Sequence, residues 1–341
     1  MRDLTTLPKT HLHLHFTGSM RHSTLAELAE ESGIRLPPAL ADGEALRVPA
    51  SQRGWFRFQR LYDSARSVVR SEAAMRRIVR EAAEDDAAEG SRRLEIQVDP
   101  TSYAPFVGGI TPALEIVLDE ARLASRDTGV EIGVIVACSR TRHPLDARTL
   151  ARLAVRHAGE GGVIGFGLSN DERRGDTREW APAFAIARRA GLASLPHGGE
   201  LLGPDHVRDV LTHLGPTRLG HGVRLAEDLE LLAKVTADGI ALELAPASNV
   251  ALGVYATPAD VPLRTLYEAG AIIALSADDP LLFVSRLTDQ YRIAREDHAF
   301  SDAELADLAR SSVRASLAGE ASKQRWLAEI ETWLHSPPEA A

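Results

Sequence analysis

Short apolar runs alternate with amphipathic segments along most of the chain. Residues 9–18 begin with an alternation of polar and apolar side chains that is typical of a β-strand. Further strand-like runs follow at 93–98, 130–137, 163–168, 191–195, 217–219, 239–244 and 271–275. Between them, apolar residues recur at helical spacing in segments such as 112–126, 177–190 and 225–237. Eight strands alternating with helices predict an α/β fold, the parallel (β/α)8 barrel of the TIM type.

Two regions depart from this alternation. Between the first two strands, at about residues 20–90, the pattern is helical and forms an insertion. Its stretch 55–62 is the most aromatic in the chain, and we leave open whether it packs in the core or covers the barrel mouth. Residues from about 300 to 335 predict two closing helices. We therefore expect residues 1–341 to form one barrel domain with these additions.

The composition narrows the classes of protein that need consideration. Charged residues make up 26% and apolar residues 44%, and no apolar run is long enough to span a bilayer. The net charge of −9 argues against binding to nucleic acid. Cys138 is the only cysteine, and the first residues do not resemble a secretory signal. We expect a soluble, cytoplasmic protein without nucleic-acid or membrane partners.

Histidines cluster on the first predicted strand. Because alternate side chains of a strand share one face, His11, His13 and His15 are expected to point the same way. Such spacing is uncommon without a ligand, although histidines that are merely hydrogen-bonded in a core remain an alternative at this point.

Further ligand-type residues follow later strands. They are His197, His221, Asp278 and Asp279. In a parallel barrel the carboxyl ends of the strands meet at one face, so these side chains are expected to converge. A doubly wound sheet, which binds its ligand at one switch point, explains this distribution less well.

This set of residue types suits a single zinc ion. Zinc prefers imidazole and carboxylate ligands and keeps an open position for water in a catalytic site. The candidate ligands are His13, His15, His197 and Asp278. His11 is left out because the metal should lie at the carboxyl end of the strand. Residues 163–170 contain neither Lys nor Glu, so the anionic bridge of a binuclear site is missing and one metal per chain is predicted.

Three more residues supply the remaining chemistry. Zinc lowers the pKa of a bound water from about 15.7 toward about 7. His221 and Asp279 are placed to hold that hydroxide and to take up its proton. Glu200 follows His197 by three residues and is the candidate acid for a ring nitrogen or a leaving group.

In their order and spacing, these motifs resemble the adenosine/adenine deaminase family of the amidohydrolase superfamily. The motifs are H-x-H-x-x-G at 13–18, H-G-G-E at 197–200, G-H-G at 220–222, P-A-S-N at 246–249 and D-D-P at 278–280. The resemblance implies a zinc-dependent barrel that removes the 6-amino group of a purine by hydrolysis and releases ammonia. It implies that Glu200 protonates purine N1, that His221 polarises the attacking water, and that Asp279 contacts the water and purine N7.

Departures from the family pattern bear on the substrate. Thr17 stands where members usually carry Asp or Glu, whose carboxylate reaches the ribose 5′-hydroxyl. Asn170 stands where nucleoside deaminases usually place a Gly under the base, and Gln97-Val98 replaces a common Arg-Phe pair. The candidate substrate-binding residues are Thr17, Gly18, Asn170, Asp279, Trp55 and Phe58.

Loss of the acidic residue fits the branch of the family that deaminates 6-aminodeoxyfutalosine, a menaquinone precursor with an aryl ketone at its 5′ carbon. The aromatic stretch 55–62 is suited to cover the aryl group, and Arg21, Arg53 and Arg57 are candidate partners for its carboxylate. Adenosine is the close alternative, and free adenine the more distant one.

Two hypotheses from other functional classes remain open. One is a zinc hydrolase of a non-purine amide or ester, which would have no use for Glu200 beside a purine nitrogen. The other is a degenerate barrel with structural zinc, which would have a closed set of ligands and no spare acid–base groups. The sequence leaves open whether the chain forms a homo-oligomer.

Overall fold

The computed structural model describes residues 1–43 and 48–337 and contains an eight-stranded parallel sheet. The strands are β1 Lys9–His15, β2 Ser91–Val98, β3 Glu131–Ser139, β4 Val163–Ser169, β5 Ala193–Gly198, β6 Arg218–His221, β7 Ala241–Leu244 and β8 Ile273–Leu275. Each strand pairs with the next in chain order, and a parallel bridge between Leu14 and Asp278 joins the two ends of the sheet. The predicted (β/α)8 barrel is confirmed, with strand limits within a few residues of those expected.

Helices connect the strands and close the chain. They are α1 His22–Glu31, α2 Pro38–Ala41, α3 Trp55–Ser67, α4 Glu72–Ala88, α5 Ala104–Val107, α6 Ile110–Thr128, α7 Pro144–Arg156, α8 Ala181–Arg189, α9 Pro204–Leu214, α10 Leu229–Ala237, α11 Pro246–Ala251, α12 Leu263–Glu268, α13 Pro280–Phe283, α14 Leu287–Asp297, α15 Asp302–Ala315 and α16 Glu320–His335. The insertion after β1 contains α1 to α4, and the two closing helices are α15 and α16. No described helix is long and apolar enough to cross a membrane.

Local sequence explains where several helices begin and end. The Ser71 hydroxyl accepts a hydrogen bond from the Ala74 amide at 3.1 Å and caps the start of α4. The helical pattern in the second half of the insertion, residues 52–89, is therefore divided into two helices, α3 and α4. Ser301 and Glu304 form a capping box at the start of α15. Gly129, in a left-handed conformation, ends α6 directly before β3.

The lower part of the barrel interior is filled by paired charges. We call Arg93, Glu95, Arg218 and Glu243 the lower network. Arg218 donates to Glu95 and to Glu243, each at 2.6 Å, and Arg93 donates to Glu95 at 2.6 Å. All four side chains are buried. Their charges therefore compensate one another where water is excluded.

The segment after α15 closes the lower end of the barrel. The Leu317 amide donates to Glu95 at 2.8 Å, and the Ala315 carbonyl accepts from Arg218 at 3.0 Å. On the outward face of β2, by contrast, Leu94 and Ile96 join the main apolar core. Charged side chains thus occupy part of the lower interior, beside a small apolar cluster that contains Ile135 and Leu195.

Candidate active site

Four of the predicted site residues meet at the upper end of the barrel, where the strands end. His15 Nε2 lies 3.2 Å and His13 Nε2 3.5 Å from Asp278 Oδ1, and the two Nε2 atoms are 3.3 Å apart. The His197 ring is centred 4.7 Å from that of His13. Ligand atoms of His13, His15 and His197 lie within 4.8 Å of one another. The structure therefore brings together all four predicted metal ligands.

The donor set fits a metal ion. His197 Nε2 is buried and has no hydrogen-bond partner among the described residues. Three imidazoles and a carboxylate with converging lone pairs are the neutral-nitrogen and oxygen ligands that zinc prefers. A cation at their centre would satisfy buried polar atoms whose unpaired burial is otherwise costly.

Glu243 orients one of these imidazoles, and the sequence analysis did not identify it. Its Oε2 lies 2.7 Å from His13 Nδ1. Because a carboxylate only accepts, Nδ1 carries the proton and Nε2 presents its lone pair to the site. Burial acts to raise the pKa of Glu243, but Arg218 and His13 outweigh it and lower this pKa to about 2. A glutamate inside the apolar run 241–244 was the available sequence signal.

His11 does not share the face of His13 and His15, so the prediction of a common face was wrong for it. Its Nδ1 donates to Asp86 at 3.0 Å, and its Nε2 accepts from the Ala277 amide at 3.0 Å. The pairing of β1 with β2 shifts register between His11 and Leu14, and such an irregularity redirects side chains. His11 is a fully hydrogen-bonded structural residue.

The three predicted acid–base residues lie beside the four ligands. His221 Nε2 is 3.7 Å from the Glu200 carboxylate. All three side chains are buried, and several of their polar atoms have no protein partner in the described parts of the chain: Glu200 Oε2, both His221 ring nitrogens and Asp279 Oδ1. His221 and Asp278 have left-handed backbones, with φ of 66° and 64°. Strained backbone conformations of this kind are common where a structure holds functional side chains in fixed positions.

Burial controls how these groups ionise. Together with the negative charge of Asp278, it raises the pKa of the Glu200 carboxyl well above its usual range. The same two causes raise the pKa of Asp279. Burial lowers the pKa of His221 to about 3. The site thus favours a protonated Glu200, which can donate a proton, beside a neutral His221 imidazole, which has a ring nitrogen free to accept a hydrogen bond.

A cavity of about 520 Å³ opens above these residues. Its floor includes His15, His197, Glu200, His221, Asp278 and Asp279. One wall is aromatic and contains Trp55, Phe58, Tyr62 and Tyr103. Phe58 also stacks on Phe283 with ring centres 5.3 Å apart. The start of α3 therefore both packs in the core and lines the cavity, which answers the question left open for the aromatic stretch.

Other predicted substrate residues lie at different depths. Asn170 lines the cavity, and its φ of 79° is a left-handed value that Asn tolerates better than most residues. Thr17 and Gly18 are not among the lining residues. Thr17 is buried and shares a 2.6 Å hydrogen bond with the Tyr103 hydroxyl, so its contact with the cavity is indirect. A Cβ atom on Gly18 would lie 1.7 Å from Asp279 Oδ1, so Gly18 is required for the approach of Asp279.

The three arginines proposed for a substrate carboxylate are not among the lining residues. Arg21 binds Asp85, and Arg53 donates to the Ala256 carbonyl at 2.8 Å. Arg57 also lies outside the lining. Two other arginines, Arg66 and Arg142, do line the cavity. Polar residues such as Asp99, Ser102 and Thr141 line it as well.

The barrel and this site together define a metal-dependent hydrolase of the amidohydrolase type. Residues 8–333 match the family model described as adenosine deaminase, and the chain belongs to this family.

Relatives cover nearly the whole chain. A protein of Streptomyces virginiae named as a proposed adenosine/adenine deaminase is 62% identical over 334 residues, which is 98% of each chain. An adenine deaminase of Agrobacterium fabrum is 32% identical and covers 95% of this chain and 98% of its own. The crystal structure of an adenine deaminase from Arthrobacter aurescens superposes with a TM-score of 0.88 at 28% identity, covering 97% of this chain and 99% of that one. The chain is therefore a purine deaminase by family.

Proposed function

We propose that this protein hydrolytically removes the 6-amino group of an adenine nucleoside. The observation that carries the proposal is the convergence of four metal-type ligands with Glu200, His221 and Asp279 on the floor of one cavity. We propose zinc, one ion per chain, held by His13, His15, His197 and Asp278. When bound, it supplies the Lewis acidity that makes hydroxide available at neutral pH.

The roles of the protein groups follow from their places in the cavity. Glu200 gives its proton to purine N1, which makes C6 electrophilic. His221 orients the attacking water and takes up a proton, and Asp279 accepts from the water and contacts N7. Water adds to C6, the proton taken up by His221 passes to the 6-amino nitrogen, and the C6–N6 bond breaks to release ammonia. The proton of the new C6 hydroxyl group returns to Glu200, and a 6-oxopurine nucleoside is left. The left-handed backbones of His221 and Asp278 support this assignment. They keep the two side chains in fixed positions, as alignment with the reacting atoms requires.

The shape of the cavity favours a substrate larger than a free base. Its volume of about 520 Å³ lies within the range of pockets that enclose drug-sized ligands. The aromatic wall formed by Trp55, Phe58 and Tyr62 offers an apolar surface on which an aryl group can stack. Thr17 brings no carboxylate to the place where the family usually binds a 5′-hydroxyl, and Tyr103 occupies its hydroxyl. We therefore propose a 5′-aryl adenine nucleoside, 6-aminodeoxyfutalosine, as the substrate.

Arg142 is the proposed partner for the carboxylate of this substrate. Its guanidinium Nε lies 3.8 Å from Asp99 Oδ2, beyond hydrogen-bond distance, and its side chain is 42% exposed. Arg66, by contrast, already donates to Asp63. Replacing Arg142 with Met is expected to raise KM for the carboxylate-bearing nucleoside about tenfold and to leave KM for adenosine unchanged, because a solvent-accessible charge-assisted hydrogen bond contributes about 1.5 kcal/mol.

Free adenine is the second candidate, because relatives and a superposable structure are named adenine deaminases. The deciding experiment compares kcat/KM for 6-aminodeoxyfutalosine, adenosine and adenine with zinc-loaded protein, following loss of the 6-aminopurine absorbance. The proposal predicts a preference of several orders of magnitude for the 5′-aryl nucleoside. Equal or better turnover of adenosine would indicate purine salvage, and turnover of adenine alone would establish the second candidate.

A Glu200→Gln variant separates a purine deaminase from a hydrolase of another ring or amide. Loss of the N1 proton donor should lower kcat by about 10² to 10⁴ while metal content stays the same. A variant that keeps most of its activity would show that no purine nitrogen is protonated from this position.

A further inference from the structure

A second buried glutamate lies directly beneath the turn that carries Glu200. Glu172 is 2% exposed and comes from the loop between β4 and α8. Its Oε1 accepts from the Glu200 amide at 3.1 Å, and its Oε2 accepts from the amides of Leu201 and Leu202 at 2.7 and 2.8 Å. Three consecutive main-chain N–H groups thus converge on a single carboxylate.

These amides belong to a turn that has no regular structure of its own. β5 ends at Gly198 and α9 begins at Pro204, so residues 199–203 lie outside both elements. Gly199 enters the turn with a left-handed φ of 76°. Main-chain amides that point into the interior require an acceptor, and a carboxylate facing several of them forms a strong anion-binding arrangement. Glu172 therefore fixes the backbone from which the Glu200 side chain projects.

Arg140 contacts the end of β5, the strand that leads into this turn. This arginine is buried, stacks over Trp180 at 5.6 Å, and donates to the His197 carbonyl at 3.4 Å. Its positive charge and the negative charge of Glu172 attract each other across the turn. The backbone between a metal ligand and the proposed acid is thus held by one cation and one anion.

We propose that Glu172 is a positioning residue for deamination, which holds the Glu200 carboxyl at purine N1. The inference rests on the proposed role of Glu200. Glu172 is absent from the residues that line the cavity, so it acts through the main chain of residues 200–202 and not by touching substrate.

The test replaces Glu172 with Gln, which keeps the size of the side chain and removes one acceptor. We expect kcat to fall about 10- to 100-fold, because misplacing a reacting group by an ångström has an effect of this order. KM and metal content should change little. Asp171→Asn is the matched control, because the adjacent Asp171 accepts a hydrogen bond from Arg173 at 2.7 Å and makes none to the turn among the described residues. This control should retain wild-type kcat.

A double-mutant cycle distinguishes positioning from general stability. In a Glu200→Gln background, Glu172→Gln should reduce kcat by less than twofold, because the group that it positions is already gone. An equal reduction in both backgrounds would overturn the inference. If the Gln variant does not fold, Glu172→Asp replaces it in the same cycle. This substitution keeps the carboxylate but shortens the side chain by one methylene group.

Hydrogen exchange gives a readout that does not depend on turnover. The amides of residues 200–202 should exchange faster in Glu172→Gln than in the wild type, and those of β5 should not. Unchanged exchange in the turn would contradict the inference even in an active enzyme. If wild-type protein deaminates no 6-aminopurine, the proposed function itself fails, and the positioning role for that reaction is overturned with it.

Discussion

The lower and upper halves of the barrel interior both contain buried ionisable side chains, but these side chains are paired within the protein only in the lower half. In the lower network, Arg218 and Glu95 are joined at 2.6 Å, and neighbouring charges complete the set. At the upper end, Glu200 Oε2 and Asp279 Oδ1 are buried without a protein partner in the described chain. Unpaired buried polar groups are uncommon, and on the floor of a cavity a bound metal ion, water or substrate can satisfy them. The contrast distinguishes the half whose charges the protein compensates from the half in which we propose that the chemistry takes place.

Glu243 connects the two halves. One of its oxygens accepts from Arg218 at 2.6 Å, and the other lies 2.7 Å from His13. The paired charges below therefore determine the direction in which a metal ligand presents its lone pair above. Among the lower charges, a residue such as Glu95 that does not contact His13 should therefore affect mainly stability, whereas substitutions at the upper site should affect turnover.

The largest effect is expected for His197→Ala in the upper half. The variant should lose bound metal and turnover together, with kcat lower by at least about 10³, because the metal supplies several kcal/mol of transition-state stabilisation. Metal analysis and ammonia release measure the two losses. Circular dichroism should show an unchanged fold, and full activity in this variant would remove His197 from the site.

In the lower half, Glu95→Gln should destabilise the fold and leave the chemistry intact. Removing one charge leaves Arg218 and Arg93 incompletely compensated in the interior, which lowers the free energy of unfolding by about 3 kcal/mol. Denaturant titration measures this change, and kcat at a temperature where the variant is folded should stay within twofold of wild type. A large loss of kcat with unchanged stability would reverse the assignment of the two halves.

Gly18→Ala tests whether the close approach of Asp279 to the main chain of Gly18 matters for turnover. The added Cβ would lie 1.7 Å from Asp279 Oδ1 and 2.7 Å from Asp279 Cα, so both the carboxylate and the main chain of Asp279 must shift. We expect kcat to fall about 10- to 100-fold with metal retained, because the role proposed for Asp279 is to contact the reacting atoms and not to bind the metal. Gly319→Ala is a control at a glycine with a φ of −65° and no atom within 4 Å of the added carbon. Unchanged kcat in Gly18→Ala would show that the position of Asp279 is not critical.

The smallest effect is expected for His11→Gln. His11 bonds to Asp86 and to the Ala277 amide, so its loss should cost about 1 to 2 kcal/mol of stability. Metal content and kcat should match the wild type. Loss of metal from this variant would mean that His11 reaches the site after all.

The sequence allowed most of the fold and the main site residues to be predicted, because both depend on local signals. Period-two and helical patterns locate the strands and helices, and His13, His197 and Asp278 follow directly from motifs at strand ends. The failure at His11 has a physical cause, since a register shift inside β1 cannot be inferred from alternation alone.

Other features depend on contacts between distant parts of the chain. Arg218 meets Glu95 across 123 positions, and Glu172 reaches the Glu200 turn from a different loop. The arginines near the cavity show the same limit, since Arg142 has no local feature that distinguishes it from Arg21. These residues become visible only when the closed barrel brings separate strand ends together.

The central claim is that the upper end of the barrel is a metal-dependent deamination site, and metal removal tests it most directly. Protein stripped with a chelator should release no ammonia from any 6-aminopurine, because the four converging ligands then hold nothing to activate water. Titrating zinc back should restore full activity at one equivalent per chain. Undiminished turnover by metal-free protein, or a requirement for two equivalents, would contradict the account.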